Sequence, residues 1–319
     1  MKDLKKNILL LESVSDEAMT LLEENTCVFS STSPHTGSEI AHSHPIHAII
    51  TRGKGDVSEV LIRACPDLQI IARCGVGLDN VDVNFATTQG VKVINAPGSN
   101  ADTVAEHTLG LMLMLQRSLY NAVQAVKKGN WNFRTSYQGD ELRGKTLGIL
   151  GFGDIGSRVA KLAEAFGMKI IFWSKTAKEN PYFRLPLPQV LKRSDIVSIH
   201  LPLTTETKHL INAGKLELMK SHALLINTAR GAIIEKEALI EALKNRQIGG
   251  FAADVLEIQP PGNDDPLLSM PNVLITPHAA SLTATTYNEM CTLTVQNTLD
   301  LLNGKPINEK YIFNRNELK

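Results

Sequence analysis

Gly151-Phe152-Gly153-Asp154-Ile155-Gly156 is the stretch on which the reading of this chain turns. Three glycines at this spacing carry little weight alone, so the flanks decide. Thr146–Leu150 reads as an apolar strand leading in. Ile155, Val159, Leu162 and Phe166 then recur at spacings of four, three and four, which marks one face of a helix. Gly167 suits the position just past a helix end, and Met168–Trp173 supplies a second strand. In such a unit Gly151 permits the tight turn and Gly153 lets the backbone approach a pyrophosphate at the positive helix terminus. Gly156 lets helix and strand pack closely. The unit predicts a bound dinucleotide.

Short apolar runs alternate with amphipathic stretches on both sides of this unit. Upstream strand candidates are Asn7–Leu11, Ala48–Thr51, Gln69–Arg73 and Lys92–Asn95, with helix-like stretches at Asp16–Glu24 and Val57–Ala64. From the glycine turn onward the candidates are Thr146–Leu150, Lys169–Trp173, Ile196–His200, Ala223–Asn227, Gly250–Val255 and Asn272–Thr276. This alternation predicts α/β architecture with parallel sheets covered on both faces, and the second set matches a six-stranded dinucleotide-binding sheet. Between the sets, Thr103–Gln116 reads as a buried helix joining two domains, followed by a polar stretch, Lys127–Arg143, read as a solvated face or dimer arm.

Bulk properties exclude several classes. The 319 residues are 43% apolar and 21% charged, enough for two domains with ordinary cores. Lys+Arg and Asp+Glu balance at 33 each, so no strong field argues for nucleic acid or a membrane surface. Cys27, Cys65, Cys74 and Cys291 have spacings that suggest neither a disulfide framework nor a zinc site. The run Ile8–Leu11 is too short for a signal peptide core or a membrane span, which makes the cytoplasm the expected location. His42, His44 and His47, with His35 upstream, lack the acidic or thiol partners of a metal site apart from Glu39, so no metal is expected.

The residue after the second strand of a dinucleotide unit selects the cofactor. An Asp or Glu there holds the ribose hydroxyls of NAD. Here the strand runs into Ser174-Lys175-Thr176, and no carboxylate follows until Glu179. A cation and two hydroxyls suit a 2′-phosphate, so the charge pattern tilts the expectation to NADP over NAD.

Several blocks, in order, resemble the D-isomer-specific 2-hydroxyacid dehydrogenases, over a stretch from Ala48 to Gly304. They are Arg73 to Asp82, Asn95 to Asn100, Val104 to His107, the glycine turn, Ile226 to Gly231, Ala253 to Val255, and Thr276 to His278. The resemblance implies a Rossmann dinucleotide-binding domain, residues 100–286, inserted into a smaller flavodoxin-like substrate domain, residues 1–99 completed by 287–319. It implies a small 2-hydroxy or 2-oxo acid of the phosphoglycerate, glyoxylate or hydroxypyruvate type, and a homodimer. The long regulatory extension of some phosphoglycerate dehydrogenases is not expected.

The same resemblance assigns residues. Arg230 would hold the substrate carboxylate and polarise the reacting carbonyl, and His278 would exchange its proton. Gln259 stands where the family carries the glutamate that partners the histidine. Glu257, two residues earlier, is read as a separate position. Substrate contacts by match are Arg52, Arg73, Gly75, Val76, Gly77, Asn100 and Arg230. Cofactor contacts by match are Val76, Gly151, Gly153, Asp154, Ile155, Gly156, Ser174, Lys175, Leu201, Thr228 and Asp254, the last on the nicotinamide amide. Glu106 and His107 read as structural. A neutral glutamine cannot raise the His278 pKa as a carboxylate would, so reduction is expected to fail at a lower pH than in relatives with the acid. Gln259 also keeps two alternatives open: formate-dehydrogenase-like hydride transfer, and a dinucleotide-sensing binding protein with weak turnover.

Overall fold

The computed structural model describes residues 5–31, 34–53, 55–176 and 180–318. The side chain of His35, and Glu179, lie outside the described residues. The chain divides into two units, Met1–Asn100 with Leu282–Lys319, and Ala101–Ser281.

The first unit is built on five parallel strands: β1 (Asn7–Leu10), β2 (Cys27–Ser30), β3 (Ala48–Thr51), β4 (Ile70–Arg73) and β5 (Lys92–Ile94), in the order β2-β1-β3-β4-β5. That is the flavodoxin-like order. Side chains alternate between the two faces with the pleat. Leu9, Ile49, Ile71 and Val93 pack with Leu61 and Ile62 on one face. Ile8, Ile50, Ile70 and Ala72 pack with Leu22, Val295 and Leu299 on the other. Burial on both faces explains why these strands read as continuous apolar runs. Strand β2 was absent from the expected set because Cys27-Val28-Phe29-Ser30 is a partly exposed edge whose apolar run is only three residues long. The helix Ala284–Leu302 is capped by the Thr283 hydroxyl on the Thr286 N–H, and its buried side of Met290, Cys291, Val295 and Leu299 belongs to this unit.

The second unit carries seven parallel strands: β6 (Thr146–Leu150), β7 (Lys169–Trp173), β8 (Phe183–Arg184), β9 (Ile196–Ile199), β10 (Leu224–Asn227), β11 (Gly250–Ala253) and β12 (Val273–Ile275). Their order is β12-β11-β10-β9-β6-β7-β8, so the strand order reverses at β6. The expected six strands are joined by a seventh, the two-residue edge β8, too short for a periodicity to reveal. The helix Ala101–Gln116 buries Ala105, Leu109 and Met112 against Val159, Ala160 and Ala163 of the helix Asp154–Ala165. The stretch expected to be polar is more structured than its composition suggests. It begins within a helix, Leu119–Lys127, and continues in a 3-10 turn, Trp131–Ser136, with Tyr120, Val123, Val126 and Trp131 exposed. Among the described residues no helix is long and apolar enough to cross a membrane.

Candidate active site

The glycine turn lies at the switch point, with β7 on one side of β6 and β9 on the other. The Gly151 N–H donates to the Trp173 carbonyl at 2.8 Å. Its φ is +95°, and a Cβ there would overlap the His200 carbonyl. Gly151 is thus wedged between the carboxyl ends of β7 and β9. A Cβ on Gly156 would overlap the Gly151 carbonyl, which is the close helix–strand approach. Gly153 differs: a Cβ there would meet nothing within 4 Å, and the residue is exposed at the helix N-terminus. Protein packing does not demand glycine at 153. Open space before unsatisfied helical N–H groups fits a pyrophosphate.

Around the turn, Ile155 is half-buried and Asp154 is exposed, 3.5 Å from Arg158. The Leu201 side chain covers Gly151 from the β9 side. His200 donates or accepts at Ser198 Oγ across 2.8 Å, and burial pushes its imidazole down to about 3, so it is neutral at pH 7.

Lys175 is not a lone cation: its ammonium is paired with the Glu206 carboxylate. The Ser174 hydroxyl turns to the Thr176 carbonyl at 2.8 Å. Arg184, on β8, donates to the Ser174 and Lys175 carbonyls at 2.6 and 2.9 Å.

The chemical groups stand at the carboxyl ends of β10, β11 and β12. Asn227 is fully buried; its amide donates to the Arg230 carbonyl at 2.9 Å and accepts from the Ala229 N–H at 3.0 Å. These bonds fix the turn that carries Arg230. The Thr228 hydroxyl, expected at a cofactor, shares a 2.8 Å hydrogen bond with Thr108. A Cβ on Gly231 would overlap Leu256 and Glu257 backbone, so the Arg230 segment lies against the chain leading to Gln259.

Gln259 and His278 are brought together: Gln259 Oε1 lies 2.9 Å from His278 Nδ1. The Gln259 amide nitrogen donates to the Leu256 carbonyl at 2.7 Å, which turns the amide oxygen to the ring. Nδ1–H therefore donates to Gln259. Glu257 does not stand in for the missing acid, because it pairs with His209 at 3.3 Å.

His278 has a φ of +56°, a left-handed conformation uncommon for a non-glycine residue. Asp254 enforces it. The Asp254 carbonyl accepts from the His278 N–H at 2.9 Å. Its buried carboxylate accepts from Thr276 Oγ1 at 2.5 Å and from the Ala279 and Ala280 N–H groups at 2.9 and 2.8 Å. His107 joins through Thr276 at 3.0 Å, which is a bracing role.

The remaining expected residues lie in the first unit. Arg52 follows β3, and Arg73 ends β4 with its guanidinium folded across Gly75. The Gly75 carbonyl accepts from Ala96 N–H, and the Val76 carbonyl from Asn95 Nδ2 at 2.7 Å. Gly77 and Asn100 are half-buried. Glu12 was missed. Its Oε1 accepts from the Arg52, Gly53 and Gly55 N–H groups, its Oε2 lies 3.8 Å from Arg52 Nε, and the guanidinium sits 5.2 Å over the Tyr287 ring. The pairing of Leu10 with Ile50 extends to set Glu12 beside Arg52, a signal available only once the strands are paired. Among the described residues no group of three or more His, Cys, Asp or Glu could hold a metal ion.

A seven-stranded parallel sheet with a glycine turn at its switch point, open at the turn's middle residue, places the chain among dinucleotide-binding proteins. The chain belongs to the D-isomer specific 2-hydroxyacid dehydrogenase family, whose NAD binding domain matches residues 109–280. It is 36% identical to a D-3-phosphoglycerate dehydrogenase of Archaeoglobus fulgidus over 94% of this chain, yet spans only 58% of that protein's length. It is 44% identical to a glyoxylate reductase of Aeropyrum pernix, over 77% of this chain and 76% of that one. An NADPH-dependent glyoxylate/hydroxypyruvate reductase from Sinorhizobium meliloti, solved with NADP and malonate, matches with a TM-score of 0.88. That match has 30% identity and covers 97% of this chain and 98% of the other.

Proposed function

We propose that the chain is a nicotinamide-dependent D-2-hydroxyacid dehydrogenase acting on a small unphosphorylated 2-oxo or 2-hydroxy acid, of the glyoxylate or hydroxypyruvate type. The observation that carries this reading is the His278 loop: a strained histidine, held on its backbone by Asp254 and on Nδ1 by Gln259, at the carboxyl edge of a dinucleotide-binding sheet. A bound nicotinamide supplies the hydride. Arg230 holds the substrate carboxylate and polarises the carbonyl, and His278 Nε2 delivers the proton to the carbonyl oxygen.

Val76, Gly151, Gly153, Asp154, Ile155, Gly156, Ser174, Lys175, Leu201, Thr228 and Asp254 are assigned to the cofactor, and Lys175 favours NADP. Asp254 has oxygen capacity beyond its three donors for the nicotinamide amide. Arg52, Arg73, Gly75, Val76, Gly77 and Asn100 are assigned to substrate recognition. Glu12 and the Tyr287 ring already engage Arg52, which lowers its capacity for a phosphate dianion and supports an unphosphorylated acid over phosphoglycerate. The exposed apolar side chains Tyr120, Val123, Val126 and Trp131 support a homodimer.

A second reading rests on Gln259 alone: hydride transfer from formate, which needs no proton at His278. A panel of glyoxylate, hydroxypyruvate, 3-phosphohydroxypyruvate and pyruvate with NADPH and NADH, together with formate and NADP or NAD, is followed at 340 nm. Turnover of the unphosphorylated oxo acids is expected. Cofactor binding with no turnover of any acid would instead mark a sensing protein.

A further inference from the structure

The glycine turn is flanked by two loops, one after β7 and one after β9, because Gly151 is wedged between the Trp173 and His200 carbonyls. The β7 loop lacks the acid that selects NAD. The β9 loop supplies a carboxylate, and it reaches the β7 loop at its cation. We propose that Glu206 is a specificity residue: it offsets Lys175 and so restrains recognition of the cofactor's 2′-phosphate. This rests on the reading that Gly151–Gly156 binds a nicotinamide dinucleotide.

Three observations carry it. First, Arg184 pins the β7 loop through the Ser174 and Lys175 carbonyls at 2.6 and 2.9 Å, and the Ser174 hydroxyl is committed to Thr176. Among the described residues of this loop, Lys175 is therefore the side chain whose charge can answer to a ligand. Second, Glu206 stands on a braced turn. The Thr204 N–H donates to Thr207 Oγ1 at 2.7 Å, and that hydroxyl donates to the Pro202 carbonyl at 2.7 Å. The backbone that carries Glu206 is thus held beside the β7 loop independently of Lys175. Third, the Lys175 and Glu206 side chains are 57% and 68% exposed, so their pair is weak and a stronger anion can take the lysine.

A 2′-phosphate gains Lys175 but must displace Glu206 and then lie close to its carboxylate. A 2′-hydroxyl meets neither effect. Glu206 thus brings the two cofactors towards parity, by a carboxylate more than thirty positions from the one that the sequence lacks.

The test is binding, read by calorimetry and by the fluorescence of bound NADPH and NADH, without turnover. Glu206→Gln and Glu206→Ala are expected to tighten NADPH about 5- to 20-fold and to change NADH less than twofold, with the gap narrowing as salt rises. Lys175→Gln is expected to weaken NADPH and to remove the effect of the Glu206 substitutions. Equal changes for both cofactors, or no change for NADPH while wild type binds it, overturn the role of Glu206 alone. Wild-type protein that binds neither cofactor overturns the dinucleotide reading, and this inference with it.

Discussion

Replacing Gln259 by Glu isolates what a neutral partner does to the acid–base step. The substitution puts a carboxylate oxygen where the amide oxygen now lies, 2.9 Å from His278 Nδ1. The two charge centres would then be about 4 Å apart, worth roughly 1 to 4 kcal/mol at an effective dielectric of 80 to 20. Both side chains are exposed, so the lower half of that range applies, about 1 to 2 kcal/mol, or about 1 pH unit in favour of the imidazolium. Reduction needs the protonated ring, so kcat/KM falls as pH rises through the His278 pKa. Gln259→Glu should move this alkaline limb up by about 1 pH unit. Oxidation needs the neutral ring, so its acidic limb should move up by the same amount. One cost is built in: the Leu256 carbonyl, now bonded by the amide at 2.7 Å, would face a carboxylate oxygen, destabilising the fold by about 1 to 2 kcal/mol. The assay is kcat/KM for glyoxylate with NADPH from pH 5 to 10, with circular dichroism on each variant. An alkaline limb that stays in place, or moves down, in folded Gln259→Glu protein would refute the reasoning.

Other outcomes are equally definite. Gly153→Ala should leave thermal stability within about 1 kcal/mol, because its Cβ meets nothing, yet weaken dinucleotide binding at least tenfold; Gly151→Ala should lower Tm outright, since its Cβ overlaps the His200 carbonyl at a φ of +95°. Arg230→Lys should cost about 10- to 100-fold in kcat/KM for the 2-oxo acid, because an ammonium cannot hold a carboxylate bidentately; unchanged kinetics would remove Arg230 from the chemistry. Asp195 is pushed up by burial, but bonds from Lys220, the Thr146 N–H and His222 outweigh this and hold it at about 2, below the ordinary 3.8. A depressed carboxylate stabilises the fold above its unfolded pKa and loses that contribution as pH falls, so Asp195→Asn should cost about 2 kcal/mol at pH 7 in urea melts, with the difference shrinking between pH 4 and 2. Asp254→Asn should lower kcat and loosen exchange protection of the Ala279 and Ala280 amides, while leaving the alkaline limb of the pH profile in place.

How far the sequence could be read follows from the range of the interactions. Thr146–Trp173 was legible because its signals are local: an apolar run, a 3.6-residue period, and glycines that the backbone itself requires. Gln259 was placed through the family resemblance, five positions after Asp254 and next to Pro260. The edge strands Cys27–Ser30 and Phe183–Arg184 were not, since a half-exposed edge of two to four residues has no alternation to detect. The charged partners were not legible either. Glu12 acts on residues 40 to 43 positions away, and Glu206 on one 31 away. Lys175 could be placed after a strand from the sequence, but the charge that shares its space belongs to another loop, and pairing of β6 with both β7 and β9 is what brings that loop near.

The carboxylates around His278 show why residue type alone misleads here. Two acids, Asp254 and Glu257, lie within five positions of Gln259 along the chain. The fold uses them otherwise. Glu257 is taken by His209, and Asp254 spends its oxygens on Thr276 and on two backbone N–H groups beyond the histidine. At Nδ1 the ring meets the neutral amide oxygen of Gln259. Because Asp254 holds the loop through the His278, Ala279 and Ala280 N–H groups, the left-handed turn that presents His278 does not depend on the acid that the family ordinarily carries, and a neutral residue can occupy that position without dismantling the site.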